Sequence, residues 1–239
     1  MLPLRLGTTG STLSILAVGA HPDDIEIGAG GTLLTLASSY ERLIVRYVVL
    51  TGTDERHLEA RHASTAFLPG AEVTVDLRSL SDGRLPAAWG QVKESLEEVA
   101  ATYVPDVVIG PSWEDAHQDH RTIGEMLPTV FRSALYLAYE IPKWDGDMRR
   151  PTTYVPLTRD VARQKVALLS QCFPSQQKHD WWDDEVFLGI ARLRGMECRA
   201  PYAEAFTCTK SVILPPCHHH RTTAGADLGV AAEGAGAAR

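Results

Sequence analysis

The chain has 239 residues, of which 44% are hydrophobic and 22% are charged, the ordinary balance of a soluble globular protein. Its formal net charge of −7 argues against a broad nucleic-acid-binding surface. No apolar run approaches the roughly 20 residues of a membrane span, and the N-terminal residues lack a signal-peptide pattern, so we expect a cytoplasmic protein without a membrane span.

The predicted elements of the first 135 residues alternate between strands and helices. Apolar or alternating runs predict strands at residues 13–20, 42–51, 71–77 and 105–111. Helical spacing of apolar residues predicts helices between and after them, at residues 30–40, 54–68, 87–104 and 120–135. This alternation predicts a single-domain, Rossmann-like α/β fold of three layers, in which a mostly parallel sheet has helices on both faces.

Beyond about residue 140 the alternation weakens. Residues 139–157 predict a long proline-rich connection with a short strand at 152–156. Two further helices and a last strand are predicted at 158–171, 183–198 and 202–210. We therefore assign residues 1–214 to one domain. Residues 215–239 are rich in Ala and Gly and carry few large apolar side chains, so we expect a flexible C-terminal tail.

The four cysteines all lie in the last third of the chain and form no CxxC motif. We therefore expect free thiols and no disulfide framework. One cysteine begins the run Cys217-His218-His219-His220 in the predicted tail. That run could capture a metal in vitro, but its position indicates adventitious binding and not catalysis.

Two polar clusters follow directly after predicted strands. They are His21, Asp23 and Asp24 after the strand at 13–20, and His117 and His120 after the strand at 105–111. In an open parallel sheet, ligands bind beyond the carboxyl ends of the strands, at the point where the strand order reverses. If these two strands are neighbours, both clusters open into one crevice.

The residue types in the two clusters are those of a catalytic zinc site, which has three His or carboxylate ligands and a water in the fourth position. His21, Asp24 and His120 supply such a set. Two adjacent aspartates in a crevice repel each other unless a cation or a proton intervenes, and a bound divalent ion would resolve this. Asp23 could then act as a general base, and His117 could stabilise an oxyanion or protonate a leaving amine.

Each of these residues also has a purely structural interpretation. Asp23 could cap a helix, and Pro22 with the two aspartates could form a simple turn. His117 and His120, three residues apart, could be ordinary loop and helix-start residues. The joint occurrence of the two clusters, each at a strand end and each with neighbouring acids, favours the metal site. We interpret the other two histidines near the strand at 42–51, His57 and His62, as exposed helix residues.

The glycines of the segment GAGG, residues 28–31, suggest a dinucleotide-binding fingerprint but do not match it. Leu33 stands where the pattern needs a small residue, and the glycines come too long after the strand. We interpret them as permissive backbone at the start of a helix. The zinc-protease motif HExxH and the nucleobase-deaminase motif PCxxC are absent from the sequence.

The segment AHPDD after the first strand, together with HQDH after the fourth, resembles the PIG-L/LmbE family of zinc-dependent N-deacetylases. The similarity spans roughly residues 13–210, and softer support comes from the segments LSDGRL, KVALLSQ and YAEAF. The sequence departs from many members after the two aspartates, because Ile25 precedes Glu26 where those members have Glu. The ligands and the base that the resemblance implies are all present.

The resemblance implies a role for each matching residue. It implies that His21, Asp24 and His120 bind Zn²⁺, although Fe²⁺ or another divalent ion would suit the same ligands. It implies that Asp23 is the general base and that His117 stabilises the oxyanion or acts as the acid. It further implies that Arg56 and Asp82 hold the sugar. The expected reaction is hydrolysis of the acetamide of an N-acetylglucosamine-type sugar in a glycoconjugate, nucleotide-sugar or antibiotic intermediate.

Several alternatives stay open from the sequence. Some members of the family cleave larger amides of glucosaminyl thiol conjugates. Two histidines and one carboxylate also form the iron site of non-haem Fe(II) oxygenases, although the alternation of strands and helices argues against that class. A third possibility is a non-catalytic α/β binding module in which HPDD is a structural turn. The expected partner is a small-molecule amino sugar, and the sequence is compatible with a homo-oligomer.

Overall fold

The alternation of strands and helices builds one seven-stranded sheet in the computed structural model, which describes residues 3–6 and 12–213. The strands are β1 (Thr12–Gly19), β2 (Arg42–Thr51), β3 (Glu72–Leu80), β4 (Val107–Pro111), β5 (Leu135–Tyr139), β6 (Thr153–Leu157) and β7 (Tyr202–Thr207). The helices are α1 (Asp24–Ser39), α2 (Asp54–Ala66), α3 (Trp89–Thr102), α4 (Gln118–Val130), α5 (Arg159–Cys172) and α6 (Asp184–Cys198).

The strand order of the sheet is β3-β2-β1-β4-β5-β7-β6, and the first five strands of the chain are parallel. Among the described strands, β7 alone runs in the opposite direction, because it pairs antiparallel with both β5 and β6. β1 lies between β2 and β4, so the strand order reverses at the junction of β1 and β4. The strands before the two polar clusters are therefore neighbours, which is the condition under which both clusters open into one crevice.

Both faces of the sheet are covered by helices, which gives the predicted single α/β domain of three layers. Successive side chains of β1 point to opposite faces. Ile15 and Ala17 belong to the core that α1, α2, α5 and α6 cover, whereas Leu16 and Val18 belong to the core beneath α3 and α4. All four side chains are fully buried.

Helix α1 begins earlier than the sequence suggested. We predicted a start at residue 30 because of the glycines, but the helix starts at Asp24 and includes all of them. A Cβ on Gly28 would lie 2.5 Å from the ring of Tyr139, and a Cβ on Gly31 would lie 2.5 Å from Leu157. These glycines therefore serve close packing of the helix against the sheet and do not mark its start.

Strand β5 was missing from the prediction. We expected one helix over residues 120–135, but α4 ends at Val130 and a buried parallel strand, Leu135–Tyr139, follows within five residues. The apolar run of this short strand continues that of the helix, so periodicity alone could not separate the two. Pro128 lies inside α4, close to its end.

A buried ion pair holds the middle of α1. Glu204 of β7 accepts hydrogen bonds from the backbone N–H groups of Gly31 and Thr32, at 2.8 and 2.6 Å. The Nζ of Lys165 in α5 lies 2.6 Å from Glu204 Oε1 and donates to the carbonyl oxygen of Ile27 at 2.6 Å. The two charged side chains are only 5% and 4% exposed. Three elements are thus joined at one point.

No helix in the described ranges is both long and apolar enough to cross a membrane. Cys172, Cys198 and Cys208 are free thiols. The predicted tail at 215–239, including Cys217 and the three histidines after it, lies outside the described residues.

Candidate metal centre

Three donor groups from the two polar clusters converge on one point at the carboxyl end of the sheet. His21 follows β1, Asp24 is the first residue of α1, and His120 lies in the first turn of α4. The Nε2 of His120 lies 3.3 Å from His21 Nδ1 and 3.2 Å from Asp24 Oδ1. His21 Nδ1 lies 3.3 Å from the other oxygen, Asp24 Oδ2. The structure therefore brings together the three residues predicted as ligands.

The spacing of these atoms matches what a divalent ion requires. Ligand atoms that sit about 2.0–2.1 Å from a tetrahedral zinc ion are about 3.3–3.4 Å apart. The two histidine nitrogens are 3.3 Å apart, close to this value, and each has one oxygen of Asp24 at a similar distance: Oδ1 lies 3.2 Å from His120 and Oδ2 lies 3.3 Å from His21. His120 Nδ1 is occupied by a carboxylate, as described below, so the lone pair of Nε2 faces the convergence point. These donor groups fit a bound metal ion.

His120 is oriented by a carboxylate that we did not predict. Its Nδ1 lies 3.0 Å from Oδ2 of the buried Asp115. Asp115 Oδ1 also accepts a hydrogen bond from the backbone N–H of His117, at 2.7 Å. A carboxylate on the far nitrogen of a ligating histidine fixes the tautomer and the ring orientation. Asp115 therefore supports one histidine directly and the backbone of the other.

His21 also has carboxylates near its far nitrogen. Its Nε2 lies 3.0 Å from Asp82 Oδ1 and 3.5 Å from Asp119 Oδ2, although neither contact has the geometry of a hydrogen bond. Asp119 is fixed by the backbone N–H groups of Gly83 and Leu85, at 2.7 and 3.0 Å. Asp82, which we predicted as a sugar contact, is 66% exposed and lies at the mouth of the centre.

Asp23 lies beside the centre in a strained backbone conformation. Its φ and ψ angles are 137° and −23°, a region that residues other than glycine rarely adopt. Arg56, at the start of α2, donates through Nη2 to Asp23 Oδ2 at 2.8 Å and also to the carbonyl oxygen of Pro22. Strain of this kind persists only where surrounding contacts enforce it, and it clusters at functional sites.

His117 faces the rings of His21 and His120 from the N-cap position of α4. Its ring centroid lies 4.9 Å from that of His21 and 4.8 Å from that of His120. His117 Nδ1 accepts a hydrogen bond from the backbone N–H of Asp119 at 3.3 Å. The neutral ring therefore carries its proton on Nε2, which leaves an N–H donor. Burial and the nearby His120 lower the pKa of His117, which favours the neutral form.

The charges in the centre favour a cation. Burial opposes the charged forms of both His21 and His120, yet Asp24 and Asp115 raise the pKa of His120 to about 9. Asp24 and Asp119 likewise raise the pKa of His21 well above its usual value, against the effect of burial. His120 and His21 in turn hold the pKa of Asp24 well below its usual value, although burial opposes this. The carboxylates of Asp24, Asp115 and Asp119 thus stabilise positive charge between them, either as protons on the histidines or as a bound metal ion.

The pKa of Asp23 is shifted in the opposite direction. Burial raises it to about 7, Arg56 opposes the shift, and the neighbouring Asp24 adds to it. A carboxylate with a pKa near neutrality can accept and release a proton under ordinary conditions.

Sequence reasoning missed Asp115 and Asp119, and it misjudged His57. Both aspartates were visible as acids within EDAHQDH, but no pattern showed that Asp115 contacts His117 and His120 of the same segment, and the backbone partners of Asp119, Gly83 and Leu85, come from a distant segment. His57 is half-buried and not exposed as predicted, because its Nε2 lies 3.1 Å from the carbonyl oxygen of Arg78 and 3.3 Å from that of Thr51.

Two sequence comparisons match this chain to deacetylases. Residues 16–131 match the family model described as PIG-L: GlcNAc-PI de-N-acetylase. The chain is 32% identical over 178 residues to the Uncharacterized deacetylase YaiS of Escherichia coli (strain K12), an alignment that covers 70% of this chain and 94% of that protein.

Solved structures show the same fold. N,N'-diacetylchitobiose deacetylase from Pyrococcus horikoshii superposes with a TM-score of 0.62 at 22% identity, covering 82% of this chain and 83% of that one. GalB, the 4-carboxy-2-hydroxymuconate hydratase from Pseudomonas putida KT2440, superposes with a TM-score of 0.65 at 19% identity, covering 86% and 99%. Because these two proteins catalyse different reactions, the likeness to them shows the fold alone.

Proposed function

Because the chain belongs to the PIG-L family of deacetylases, we propose that it is a metal-dependent hydrolase of N-acetylglucosamine-type sugars, releasing acetate and a free amine. The observation that carries this proposal is the convergence of His21, Asp24 and His120 within 3.3 Å of one another, beside Asp23. The match of residues 16–131 to the family model described as GlcNAc-PI de-N-acetylase supports the substrate class.

We propose His21, Asp24 and His120 as the ligands of Zn²⁺, with Fe²⁺ or another divalent ion as the alternative occupant. When bound, such an ion supplies Lewis acidity, which polarises the amide carbonyl and makes water easier to deprotonate. The His/Asp donor set and its spacing support this choice. Asp115 would hold His120 in the orientation that presents Nε2 to the ion.

The remaining residues of the centre would handle protons and charge. Asp23 takes a proton from the attacking water, for which a pKa of about 7 is suitable. The Nε2–H of His117 donates toward the oxygen of the former carbonyl as negative charge develops there. The protonated Asp23 then supplies the proton with which the amine leaves, because the neutral His117 could release its Nε2 proton only by becoming an imidazolate. The products are acetate and the free amino sugar.

The substrate contacts remain proposals as well. Asp82 lies at the exposed mouth of the centre, where a sugar hydroxyl could bind. Arg56 uses Nη2 for Asp23 and Pro22, so a sugar contact would use its other terminal nitrogen, Nη1. A larger amide of a glucosaminyl thiol conjugate is the alternative substrate. We also propose that the substrate is a small molecule and that the protein is cytoplasmic. A homo-oligomer is compatible with this proposal.

The first experiment is an activity panel on metal-replete protein. The panel contains UDP-N-acetylglucosamine, an N-acetylglucosaminyl inositol, N,N'-diacetylchitobiose, free N-acetylglucosamine and an acylated glucosaminyl thiol conjugate. We expect equimolar acetate and amine from at least one N-acetyl sugar, and we expect chelation to abolish the release. Release only from the thiol conjugate would support the alternative substrate. Oxygen uptake in the presence of 2-oxoglutarate would instead support the oxygenase.

Metal stoichiometry must be measured without interference from the C-terminal histidines. We expect one zinc ion per chain in a variant whose Cys217 and His218–His220 are replaced by Ser and Ala. We expect less than one-tenth of that content in the same variant carrying Asp24→Ala. Elemental analysis after dialysis measures both. Absence of stoichiometric metal from the first variant, together with no activity in the panel, would contradict the proposal and leave HPDD as a structural turn.

Arg56→Met separates two roles for this side chain. Because Arg56 holds the carboxylate of Asp23, we expect its loss to lower kcat about 100-fold, the scale of a misplaced catalytic group. A contact with the sugar would in addition raise KM. Steady-state kinetics on the best substrate of the panel measures both constants. A raised KM with an unchanged kcat would show that Arg56 binds substrate only.

A further inference from the structure

The connection after β5 contacts the metal centre through Lys143. The Nζ of Lys143 lies 3.0 Å from Asp115 Oδ1 and 2.8 Å from Asp147 Oδ2. The side chains of Lys143 and Asp147 are 14% and 12% exposed, so the ion pairs are mostly shielded from water. Neither residue belongs to a polar cluster that the sequence singled out.

Asp115 is the point where this connection meets the centre. Its buried carboxylate uses Oδ2 for the Nδ1 of His120 and Oδ1 for both Lys143 and the backbone N–H of His117. A carboxylate with partners on both oxygens cannot rotate without losing contacts. Lys143 therefore restrains the group that sets the ring of His120.

Asp147 adds a second restraint on the same segment. Its Oδ2 accepts a hydrogen bond from the backbone N–H of Ala116 at 2.7 Å. Arg121 approaches from the other side and donates to the carbonyl oxygens of Asp115 and Ala116, at 2.8 and 2.7 Å. The backbone between Asp115 and His117 is thus held on both sides, directly before α4.

We propose that Lys143 is a positioning residue for the metal centre: by bridging Asp115 and Asp147, it orients His120 for metal binding. The inference rests on the proposed function, since it assigns His120 as a metal ligand. Groups behind metal ligands typically change metal affinity or activity by about 10–100-fold when they are removed. Lys143 acts one contact further away than Asp115, so its effect lies at the lower end of that range.

Whether replacement of Lys143 weakens or strengthens metal binding distinguishes a positioning role from a purely electrostatic effect of its charge. Removal of a positive charge near the centre would by itself strengthen the binding of a cation. Loss of positioning weakens binding, because Asp115 and His120 are released. A merely structural role would lower the melting temperature without changing metal affinity.

The test is a zinc titration of apo protein in competition with a chromophoric chelator, on the variant with the C-terminal Cys217 and His218–His220 replaced. We expect Lys143→Met to raise the Kd for zinc about tenfold and Lys143→Arg to stay within about threefold of the parent, because Arg retains the charge and can bridge two carboxylates. Lys93→Met is the matched control, since within residues 3–6 and 12–213 Lys93 pairs only with Glu97 of α3, and we expect no change. Melting temperatures of all apo variants are recorded.

A second neutral variant keeps the test decisive if Lys143→Met does not fold. Lys143→Gln retains a donor that can reach one carboxylate, and we expect a smaller weakening than for Met. Zinc affinity of folded Met or Gln variants that equals or exceeds that of the parent would overturn the inference. If the parent protein binds no zinc, the proposed function fails first, and this result is distinct from a failure of the Lys143 assignment.

Discussion

Asp23→Asn is expected to lower kcat about 1,000-fold while one metal ion per chain remains bound, because it removes the proposed base and leaves the three proposed ligands in place. The amide is nearly isosteric with the carboxylate and can still accept a hydrogen bond from Arg56, so the local contacts are kept. It cannot accept a proton near neutral pH. Kinetics on the best substrate and metal analysis on the same preparation measure the two expectations together.

The matched control is Asp106→Asn at the opposite edge of the sheet. Asp106 precedes β4 and accepts hydrogen bonds from the backbone and the hydroxyl of Ser14, at 2.9 and 2.6 Å, far from the proposed centre. We expect this variant to keep the parental kcat. An Asp23→Asn variant that turned over as fast as the control would refute the role of Asp23 as the base.

Much of the centre was predictable because it depends on topology. The HPDD cluster and the HxxH pair each follow a buried strand, and the carboxyl ends of parallel strands lie at one edge of a sheet. Once β1 and β4 are neighbours, the segments that carry His21, Asp24 and His120 begin side by side at the same end of the sheet. The pattern of residues therefore identified the ligand candidates without any knowledge of side-chain geometry.

The supporting residues were not predictable in the same way. Lys143 lies 28 positions beyond Asp115, in a connection whose course depends on β5, and the prediction missed that strand. Arg56 and Asp23 meet because α2 begins beside the turn after β1, which no local pattern encodes. The strained backbone of Asp23 has no sequence signal either, since a positive φ is expected of glycine. Long-range packing determines all three features.

The glycines at residues 28–31 show how a sequence pattern typical of a helix start can arise from packing in the middle of a helix. The glycines suggested that a helix begins at residue 30, and the N–H groups of Gly31 and Thr32 are indeed satisfied by a carboxylate, as at a helix N-terminus. That carboxylate is Glu204, which lies more than 170 residues away in the chain. The same glycines also allow the close approach of Tyr139 and Leu157. The local pattern was visible, but its meaning depended on β5, β6 and β7.

Glu204→Gln is expected to lower the free energy of unfolding by about 3–5 kcal/mol, the scale for breaking a buried ion pair on one side. The variant leaves the ammonium of Lys165 buried without its carboxylate, and one end of the amide presents donors to groups that are themselves donors. Urea denaturation with an unchanged m-value measures the loss. Glu72→Gln is the control, because its pair with Arg42 is exposed on both sides and is expected to contribute little to stability.

A double variant tests whether the loss comes from the unpaired charge. We expect Lys165→Met/Glu204→Gln to be less destabilised than the sum of the two single variants, because no isolated buried charge remains. The residual destabilisation would then report the N–H groups of Gly31 and Thr32, which lose the carboxylate of Glu204 in the double variant as they do in Glu204→Gln. Equal stability of Glu204→Gln and Glu72→Gln would show that the buried pair does not hold α1 against β7.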